Sequence, residues 1–428
     1  MSSRAALSRR RLLAGLAAGG ALPWLGGCAT PSGGPSIGRV VVVGGGWGGA
    51  TAARYLRLWG GNVDVTLVER GSSFVSCPLS NLVLSGHKQI GDVTLPYAGL
   101  EAAGVRRIQA EAVAVDATAK EVRLADGRRL PFDRAVLSPG VDFTPGEVAG
   151  LETPAAQERI PHAWKAGPQT VALRRQLEAM RDGGVFALTI PRVPYRCPPG
   201  PYERACLVAS YFKQAKPRSK VVVFDANPEI QSKKVLFERA FTEHYKGLID
   251  YRPNTELKEV DAATLTAKFD FDDIKADVLN VVPPQRAADI ARSAGLVNMN
   301  NRWVGIHWLT MESTAAPGIH VLGDATLAAA LMPKSGHLAN QHAKVAAAAI
   351  VQLLRGEAVN PAPVVANTCY SFVTPGEAMH VTSVHQYHAD EKTFKVAPGA
   401  GLSTAASALE ARYAQSWAQN VWADMLAT

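Results

Sequence analysis

RVVVVGGGWGGATAARYLRLWG, residues 39–60, is the stretch that decides the fold of this chain. Its four successive valines predict a buried strand, and a helical pattern follows the glycines. Gly44, Gly46 and Gly49 have the G-x-G-x-x-G spacing of a loop that binds a dinucleotide pyrophosphate. Gly44 would permit a tight turn, Gly46 would let phosphates approach the backbone, and Gly49 would let the helix pack on the strand. The helix N-terminus would add partial positive charge.

The next strand carries an acidic residue where a ribose-binding acid is expected. VDVTLVER, residues 63–70, contains Glu69, which follows Gly49 by about 20 residues. A glycine pattern alone also occurs in ordinary turns, but two strands, a helix and the acid together favour a dinucleotide-binding unit. These residues do not distinguish NAD from FAD.

A second segment favours FAD. GIHVLGDAT, residues 318–326, is an apolar strand that ends in Gly323 and Asp324. This arrangement resembles that of flavoproteins with two dinucleotide folds, in which such an aspartate holds the ribityl chain of FAD. The helix predicted over residues 334–356 has Ser335 as its N-cap, and its positive end would face the flavin edge.

The middle of the chain repeats the strand–loop–helix pattern with a different loop. VFALTI (185–190) and KVVVFDA (220–226) predict two strands, and YRCPPGPYERAC (195–206) lies between them. Its prolines remove backbone N–H donors that would cradle a pyrophosphate. Tyr202 and Arg204 add bulk where a nicotinamide nucleotide would approach. We therefore expect no nucleotide, and hence no NADH, in this unit.

The order of these elements predicts an α/β fold with two dinucleotide-binding domains, as in glutathione reductase, and a C-terminal interface domain. We expect the FAD-binding domain to comprise residues 38–150 and 285–357. The middle domain is expected over residues 160–284, and a module that covers the flavin over residues 358–428.

The charge of the chain does not indicate a nucleic-acid partner. The formal net charge is +8, but four arginines lie in the first 28 residues, which contain no Asp or Glu. The remaining Lys and Arg form no basic stripe with interleaved aromatic residues. A solvated surface is the better interpretation.

The N-terminus resembles an export signal. SRRRLLAGLAAGGALPWLGGCA, residues 8–29, has a charged start and an apolar stretch, and its consecutive arginines resemble a twin-arginine signal. We expect residues 1–30 to direct the protein to the periplasm. The sequence before Cys28 also resembles a lipoprotein cleavage box, so lipidation at Cys28, ordinary cleavage nearby and a retained membrane anchor stay open. We expect membrane attachment only with lipidation.

The remaining cysteines are Cys77, Cys197, Cys206 and Cys369. No cysteine of the chain begins a C-x-x-C motif, so the sequence has neither a zinc knuckle nor a c-type haem attachment site. We expect no metal site, and any haem would belong to a partner subunit.

Several motifs together resemble the flavoprotein subunits of flavocytochrome c sulfide dehydrogenases, a branch of the pyridine nucleotide-disulfide oxidoreductases close to sulfide:quinone oxidoreductases. The likeness covers nearly the whole chain after the leader. The motifs are GGGWGGATAARYL, SCPLSN, HAWKAGPQT, RCPPGPYER, MPKSG, NTCYS and YAQSWAQNVWADM.

The resemblance implies roles for three cysteines. Cys77 would be bonded to the 8α-methyl group of FAD as a thioether, and Cys197 and Cys369 would form a redox-active disulfide over the flavin. A disulfide between such distant residues could also act as a conformational staple. Cys206 has no counterpart and is predicted to be a core thiol. Lys334, in MPKSG, is expected to contact the cofactor.

The function implied is oxidation of sulfide to sulfur or polysulfide, with electrons passed to a separate c-type cytochrome subunit. Hydrosulfide would attack the Cys197–Cys369 bridge, giving a persulfide and a thiolate that donates two electrons to the flavin. Glu203 is the candidate base if burial raises its pKa, and a surface carboxylate otherwise. The sequence does not say which cysteine takes the persulfide.

Two alternatives stay open. A membrane-associated sulfide:quinone oxidoreductase would need a quinone channel and a membrane-docking surface, and the tail over residues 409–427 has Arg412 as its one cation. A non-catalytic sulfur-binding protein on a flavoprotein scaffold would have no reason to keep Glu69, Cys77 and Asp324. In the same tail an apolar residue recurs every four positions, which predicts one packed helix face. These residues are Leu409, Tyr413, Trp417, Val421 and Met425.

Overall fold

The computed structural model describes residues 35–428, so the predicted export signal and Cys28 lie outside the described residues. Residues 36–428 form one compact unit. Among the described residues, no helix has both the length and the apolar character needed to cross a membrane.

The largest sheet is built around the strand Gly38–Val43. This strand pairs in parallel with Val63–Glu69 on one side and with Arg134–Leu137 on the other, which opens a crevice at the carboxyl ends of the strands. Its valines are buried on both faces, as expected for a parallel strand covered by helices. Across the sheet the strands are Ile306–His307, Glu312–Ser313, Ile319–Val321, Arg134–Leu137, Gly38–Val43, Val63–Glu69 and Arg106–Gln109.

A second parallel sheet repeats this plan in the middle of the chain. Its strand order is Ile249–Arg252, Lys220–Asp225, Val185–Ile190 and Val278–Val281. The helix Gly200–Ala215 connects Val185–Ile190 to Lys220–Asp225, as the helix Trp47–Gly60 connects the first two strands of the large sheet. We call Gly38–Glu69 the first βαβ unit and Val185–Asp225 the second βαβ unit.

The C-terminal part consists of an antiparallel sheet and the tail helix, Ala408–Leu426. The strands of this sheet are Val364–Thr374, Glu377–His388, Thr393–Val396 and Gly401–Leu402. The tail helix packs against Glu377–His388 and against Trp47–Gly60, which brings the end of the chain back to the first βαβ unit.

The predicted packed face of the tail helix is confirmed towards its C-terminus, where Trp417 packs against the core and Met425 is fully buried, and is wrong at its N-terminal end. Leu409 and Tyr413 are 47% and 51% exposed, whereas the buried residues are Ala411, Ala414, Ala418, Trp422, Met425 and Leu426. A repeat of four residues drifts around a helix of 3.6 residues per turn, so its first members leave the face that its last members occupy. A spacing that alternates between three and four residues stays on one face.

Smaller elements complete the fold. The other strands are Phe74–Val75, Thr94–Leu95, Ala112–Asp116, Glu121–Leu124, Arg129–Pro131, Val141–Phe143, Glu259–Asp261, Thr266–Lys268, Asp273–Lys275, Gln285–Ala287, Val297–Met299 and Trp303–Val304. The other α-helices are Asn81–Leu84, Ala98–Ala102, Pro154–Arg159, Pro168–Ala179, Lys234–Arg239, Asp289–Ser293 and Gly336–Arg355. Single turns of 3₁₀ or π type occur at Ile90–Val93, Pro145–Glu147, Ala240–His244 and Gly323–Ala325.

Candidate active site

The first glycine loop has the geometry that its spacing predicts. Gly44 has a φ of +95°, and a Cβ atom on it would lie 2.5 Å from the carbonyl oxygen of Ser138. A Cβ on Gly49 would lie 1.7 Å from the carbonyl oxygen of Gly44, so this glycine is needed for packing and does not line the cavity. A Cβ on Gly46 would meet nothing within 4 Å, because this glycine borders the cavity.

The carboxylate of Glu69 reinforces this loop. One oxygen accepts a 2.6 Å hydrogen bond from the backbone N–H of Gly45, and the other accepts one of 2.7 Å from Gly71. Glu69 also lines the cavity, at the end of its strand. It therefore stands where the sequence places the acid for a ribose.

Asp324, which is half-buried, and Lys334, which is buried, also line the cavity. Burial raises the pKa of Asp324, and its Oδ1 atom is buried without a partner among the described residues. The Lys334 ammonium donates to the backbone carbonyls of Asp324 and Thr326 and lies 3.7 Å from the centroid of the Trp303 ring. Burial lowers the pKa of Lys334 to about 7.

One cavity of about 1050 Å³ joins these groups. The first turns of the helices Trp47–Gly60 and Gly336–Arg355 both reach it, and Ser335 caps the second helix by accepting from Leu338 N–H, as predicted. Gly356 ends that helix with a φ of +71°, which confirms the predicted stop. The open space beside Gly46 and the unpartnered oxygen of Asp324 fit a flavin dinucleotide.

Cys77 lies in the same cavity beside a guanidinium group. Arg196 Nη2 donates to Cys77 Sγ over 3.1 Å and also bonds the carbonyl oxygen of Trp164. Arg196 itself is held through its backbone N–H, which donates to Gln285 Oε1 over 3.0 Å. The sulfur therefore faces the cavity with a positive charge next to it.

Cys197 lies at the cavity in a loop with a strained backbone. Its φ of +58° lies in the left-handed region that residues other than glycine rarely adopt. Its backbone N–H donates to the carbonyl of Lys334 over 2.8 Å, which ties the loop of the second βαβ unit to the cofactor cradle.

Cys369 reaches the same place from the strand Val364–Thr374. The interaction between the two cysteine side chains is the main cause of both pKa shifts: it raises the pKa of Cys197 well above its usual value and lowers that of Cys369 to about 6. Both are free thiols in this structure, so the disulfide itself stays a prediction.

Glu203 lies beside the two cysteines. Its carboxylate accepts hydrogen bonds of 2.9 Å from Asn81 Nδ2 and from the backbone N–H of Phe372. Burial raises the pKa of Glu203 to about 7, against the lowering effect of these two donors. A carboxylate with this pKa can take up a proton near neutral pH.

In the second βαβ unit, the acid at the position that corresponds to Glu69 is Asp225, and other side chains cover it. Asp225 ends the second strand of this unit, and its carboxylate accepts hydrogen bonds from the hydroxyls of Tyr202 (2.7 Å) and Tyr251 (2.9 Å). Tyr202 and Asp225 are both fully buried. Arg204 is buried too, at the edge of the cavity, and its guanidinium donates to the carbonyls of His162 and Ala163.

Comparison with known proteins identifies the family. The model of the central domain of the sulfide dehydrogenase [flavocytochrome c] flavoprotein chain matches residues 170–283, and that of the flavocytochrome c sulphide dehydrogenase flavin-binding domain matches residues 361–426. The flavoprotein chain of sulfide dehydrogenase [flavocytochrome c] from Chlorobaculum thiosulfatiphilum is 60% identical over 45 residues, 10% of this chain and 94% of that sequence. The chain belongs to this flavoprotein family.

The family assignment makes the chain an FAD-dependent, sulfide-processing oxidoreductase, since its flavin-binding domain implies FAD. The pyridine nucleotide-disulphide oxidoreductase model matches residues 38–173. Mouse mitochondrial sulfide:quinone oxidoreductase is 24% identical over 318 residues, which is 70% of this chain and 69% of the mouse protein.

The predicted fold class is confirmed by solved structures. The sulfide:quinone oxidoreductase of Aquifex aeolicus superposes with a TM-score of 0.76 at 19% identity, covering 90% of this chain and 91% of that one. Putidaredoxin reductase, in its covalent complex with putidaredoxin, gives a TM-score of 0.62 at 18% identity, covering 81% of each chain. These likenesses show a two-dinucleotide-domain flavoprotein fold.

The structure adds residues to the site that the sequence did not single out. Asn81 and Trp164 belong to the motifs SCPLSN and HAWKAGPQT, and Arg196 directly precedes Cys197, so their motifs were the available signal. Lys233, which is buried near Cys369, gave no signal, because SKK before a helical pattern is typical of an exposed helix start.

Proposed function

We propose that this protein oxidises sulfide to sulfur or polysulfide through a Cys197–Cys369 bridge and passes the electrons to a c-type cytochrome subunit. The observation that carries the proposal is that these two cysteines, far apart in the sequence, meet at the cavity that fits FAD. The closed second βαβ unit supports a sulfur donor in place of a nicotinamide nucleotide.

The chain's own residues supply the sulfur chemistry. Hydrosulfide attacks one sulfur of the bridge, a new S–S bond forms, and the old bond leaves its electron pair on the other cysteine as a thiolate. Glu203 takes up the proton that the substrate releases, and its raised pKa suits this task. When bound, FAD accepts two electrons from the cysteine pair and transfers them onward one at a time.

The residues proposed to hold the cofactor come from the first βαβ unit and from residues 324–334. Gly44, Gly46 and Glu69 would bind the pyrophosphate and ribose, and Asp324 the ribityl chain, with Lys334 beside it. We propose that Cys77 forms a thioether with the flavin. Unfolding the purified protein in denaturant tests this attachment: flavin absorbance should stay with the polypeptide, and in Cys77→Ser it should be released.

Anaerobic mixing with sulfide tests the reaction. The visible absorbance of the flavin should decrease after mixing with sulfide. It should not change after mixing with NADH. Bleaching by NADH but not by sulfide would overturn the proposal. A protein that binds sulfide without any flavin reduction would fit the non-catalytic alternative.

A quinone is the second candidate acceptor, because the mouse and Aquifex aeolicus proteins are both sulfide:quinone oxidoreductases by name. Oxidation of the sulfide-reduced protein by a soluble cytochrome c and by a water-soluble quinone distinguishes the two. Faster oxidation by cytochrome c supports the proposal, and faster oxidation by the quinone contradicts it.

We propose export to the periplasm from the resemblance of residues 8–29 to a twin-arginine signal. Fractionation of cells that express the full chain, and of cells that express Arg9→Lys/Arg10→Lys, tests this. The full chain should appear in the periplasmic fraction and the double variant should not. Mass spectrometry of the mature N-terminus then shows whether Cys28 is lipidated.

A further inference from the structure

Lys233 is a buried lysine that the chemistry above does not use. It follows the strand Lys220–Asp225, precedes the helix Lys234–Arg239, and is 5% exposed. Its φ of +55° lies in the left-handed region, which is unfavourable for lysine. The local backbone is therefore strained in the conformation that keeps this side chain inside.

The Lys233 ammonium has one hydrogen bond among the described residues. Its Nζ donates to Ser371 Oγ over 3.0 Å, and no carboxylate of residues 35–428 forms an ion pair with it. An ammonium has three N–H donors, and a lysine is almost never fully buried unless it is paired. A buried cation without a carboxylate partner is available to a negative charge that appears nearby.

The nearby group that can become negative is Cys369. Ser371 follows Cys369 by two positions on the strand Val364–Thr374, so both side chains point to the same face of that strand. The contact with Cys197 is the main cause of the lowered pKa of Cys369, and the charge of Lys233 adds to it. Lys233 also opposes the rise that burial causes in the pKa of Glu203.

The other charged groups around the cysteine pair do not supply a positive charge to Cys369: Glu203 is acidic, and the repulsion between it and Cys369 raises the pKa of Glu203. Arg196 lowers the pKa of Cys197, whereas the carboxylate of Glu203 raises it. From the helix Gly336–Arg355, His337 accepts the backbone N–H of Thr368, and burial lowers its pKa to about 4, which leaves it neutral near pH 7. The positive charge that acts on Cys369 is therefore that of Lys233.

We propose that Lys233 is a positioning residue that stabilises the thiolate of Cys369 when the bridge opens and thereby directs hydrosulfide to Cys197. This inference rests on the proposed function. The attack forms an S–S bond between hydrosulfide and Cys197, the Cys197–Cys369 bond breaks, and its electron pair remains on Cys369. A thiol with the lower pKa is the better leaving group, so this direction is the faster one.

Alkylation of the reduced holoprotein tests the inference. The rate at which iodoacetamide modifies Cys369, followed by peptide mass spectrometry between pH 4.5 and 9, reports its thiolate fraction. The midpoint should lie near 6 in the natural protein. In Lys233→Met it should rise by at least about one unit, which slows alkylation at pH 5 about tenfold. Lys233→Arg should keep the natural midpoint.

Lys234→Met is the matched control, because the adjacent Lys234 is exposed and pairs with Glu229 over 2.6 Å. It should leave the midpoint unchanged. If Lys233→Met does not fold, as judged by circular dichroism, Lys233→Gln, which keeps a donor for Ser371, takes the same measurement. An unchanged midpoint in the folded variant, or an equal shift in Lys233→Arg, overturns the inference.

Trapping after one turnover with sulfide tests the direction of attack. The persulfide should map to the Cys197 peptide in the natural protein and to both cysteine peptides in Lys233→Met. A persulfide on Cys369 in the natural protein contradicts the role of Lys233 while the proposed function stands. If sulfide reduces no flavin in the natural protein, the proposed function itself fails.

Discussion

The two βαβ units share a backbone plan and differ in what fills the carboxyl end of their central strands. In the first unit, a Cβ on Gly46 would meet nothing within 4 Å, because the loop borders the cavity. In the second unit, the corresponding loop carries prolines and places Cys197 against the same cavity. The same scaffold thus leaves open space for a ligand beside its loop in one unit and places a cysteine at the cavity in the other.

The acidic residues of the two units show the same difference. Glu69 accepts two backbone N–H groups and still lines the cavity. Asp225 is fully buried beneath the hydroxyl of Tyr202 and is not among the residues that line the cavity. An acid at the end of the second strand is therefore no evidence of a nucleotide unless its carboxylate remains accessible.

The largest expected effect comes from removing either sulfur of the proposed bridge between Cys197 of the second unit and Cys369 of the strand Val364–Thr374. Cys197→Ser and Cys369→Ser should each lower the rate of flavin reduction by sulfide more than about a thousandfold, because a bridge can no longer form. Cys206→Ala, a change at a fully buried thiol of the same unit, is the control and should keep the rate within about threefold. Rapid mixing with sulfide measures all three. A Cys197→Ser or Cys369→Ser protein that reacts normally with sulfide would contradict the proposed bridge.

The next effect distinguishes two glycines of the first unit. Gly49→Ala should lower the free energy of unfolding by about 3 kcal/mol, because the added Cβ would lie 1.7 Å from a carbonyl oxygen. Gly46→Ala should change it by less than about 0.5 kcal/mol. Urea unfolding measures this difference.

Flavin content per mole of protein completes the comparison of the two glycines. Gly46→Ala should lose flavin while it remains folded, because its methyl group occupies cofactor space beside the cavity. Full flavin content in Gly46→Ala would show that the pyrophosphate does not approach this glycine.

A smaller effect on the rate of the sulfide reaction is expected from replacing Glu203, the proposed base. Burial raises the pKa of Glu203 to about 7, so its base function should be present above pH 7 and lost as the pH falls below it. The ratio of the rate of Glu203→Gln to that of the natural protein should be about 0.01 at pH 8.5 and should rise to about 0.5 near pH 5, where only about one Glu203 in a hundred is ionised. The ratio cancels the titration of sulfide itself. A ratio that does not change with pH would exclude Glu203 as the base.

The smallest expected effect comes from removing the hydroxyl that covers Asp225 in the second unit. Tyr202→Phe removes the hydroxyl that donates to Asp225 and should lower the free energy of unfolding by about 1–2 kcal/mol. Thermal unfolding measures the loss. Flavin content and the sulfide reaction should stay as in the natural protein, and NADH should still not reduce the flavin. Reduction by NADH in this variant would show that the hydroxyl alone keeps a nucleotide out.

The glycine loop and the caps were predictable because they depend on local backbone geometry. Gly44 needs a positive φ, Ser335 satisfies an N–H of its own helix, and Gly356 ends that helix in the left-handed region. The raised pKa of Glu203 was foreseen only as a condition, because its burial is produced by other parts of the chain. The packed face of the tail helix was wrong at its N-terminal end for a local reason, because a repeat of four residues drifts around a helix of 3.6 residues per turn.

The sequence by itself determined the two parallel sheets, the FAD loop and the loss of that loop in the second unit, since glycine spacing, prolines and apolar runs act over short distances. Only the tertiary structure decided that Tyr202 covers Asp225 and that Lys233 is buried. It also brings Cys197 next to Cys369, which the sequence implied only through its resemblance to a known family. The physical reason is that desolvation and Coulomb attraction depend on which distant segments pack together, and no local pattern encodes that packing.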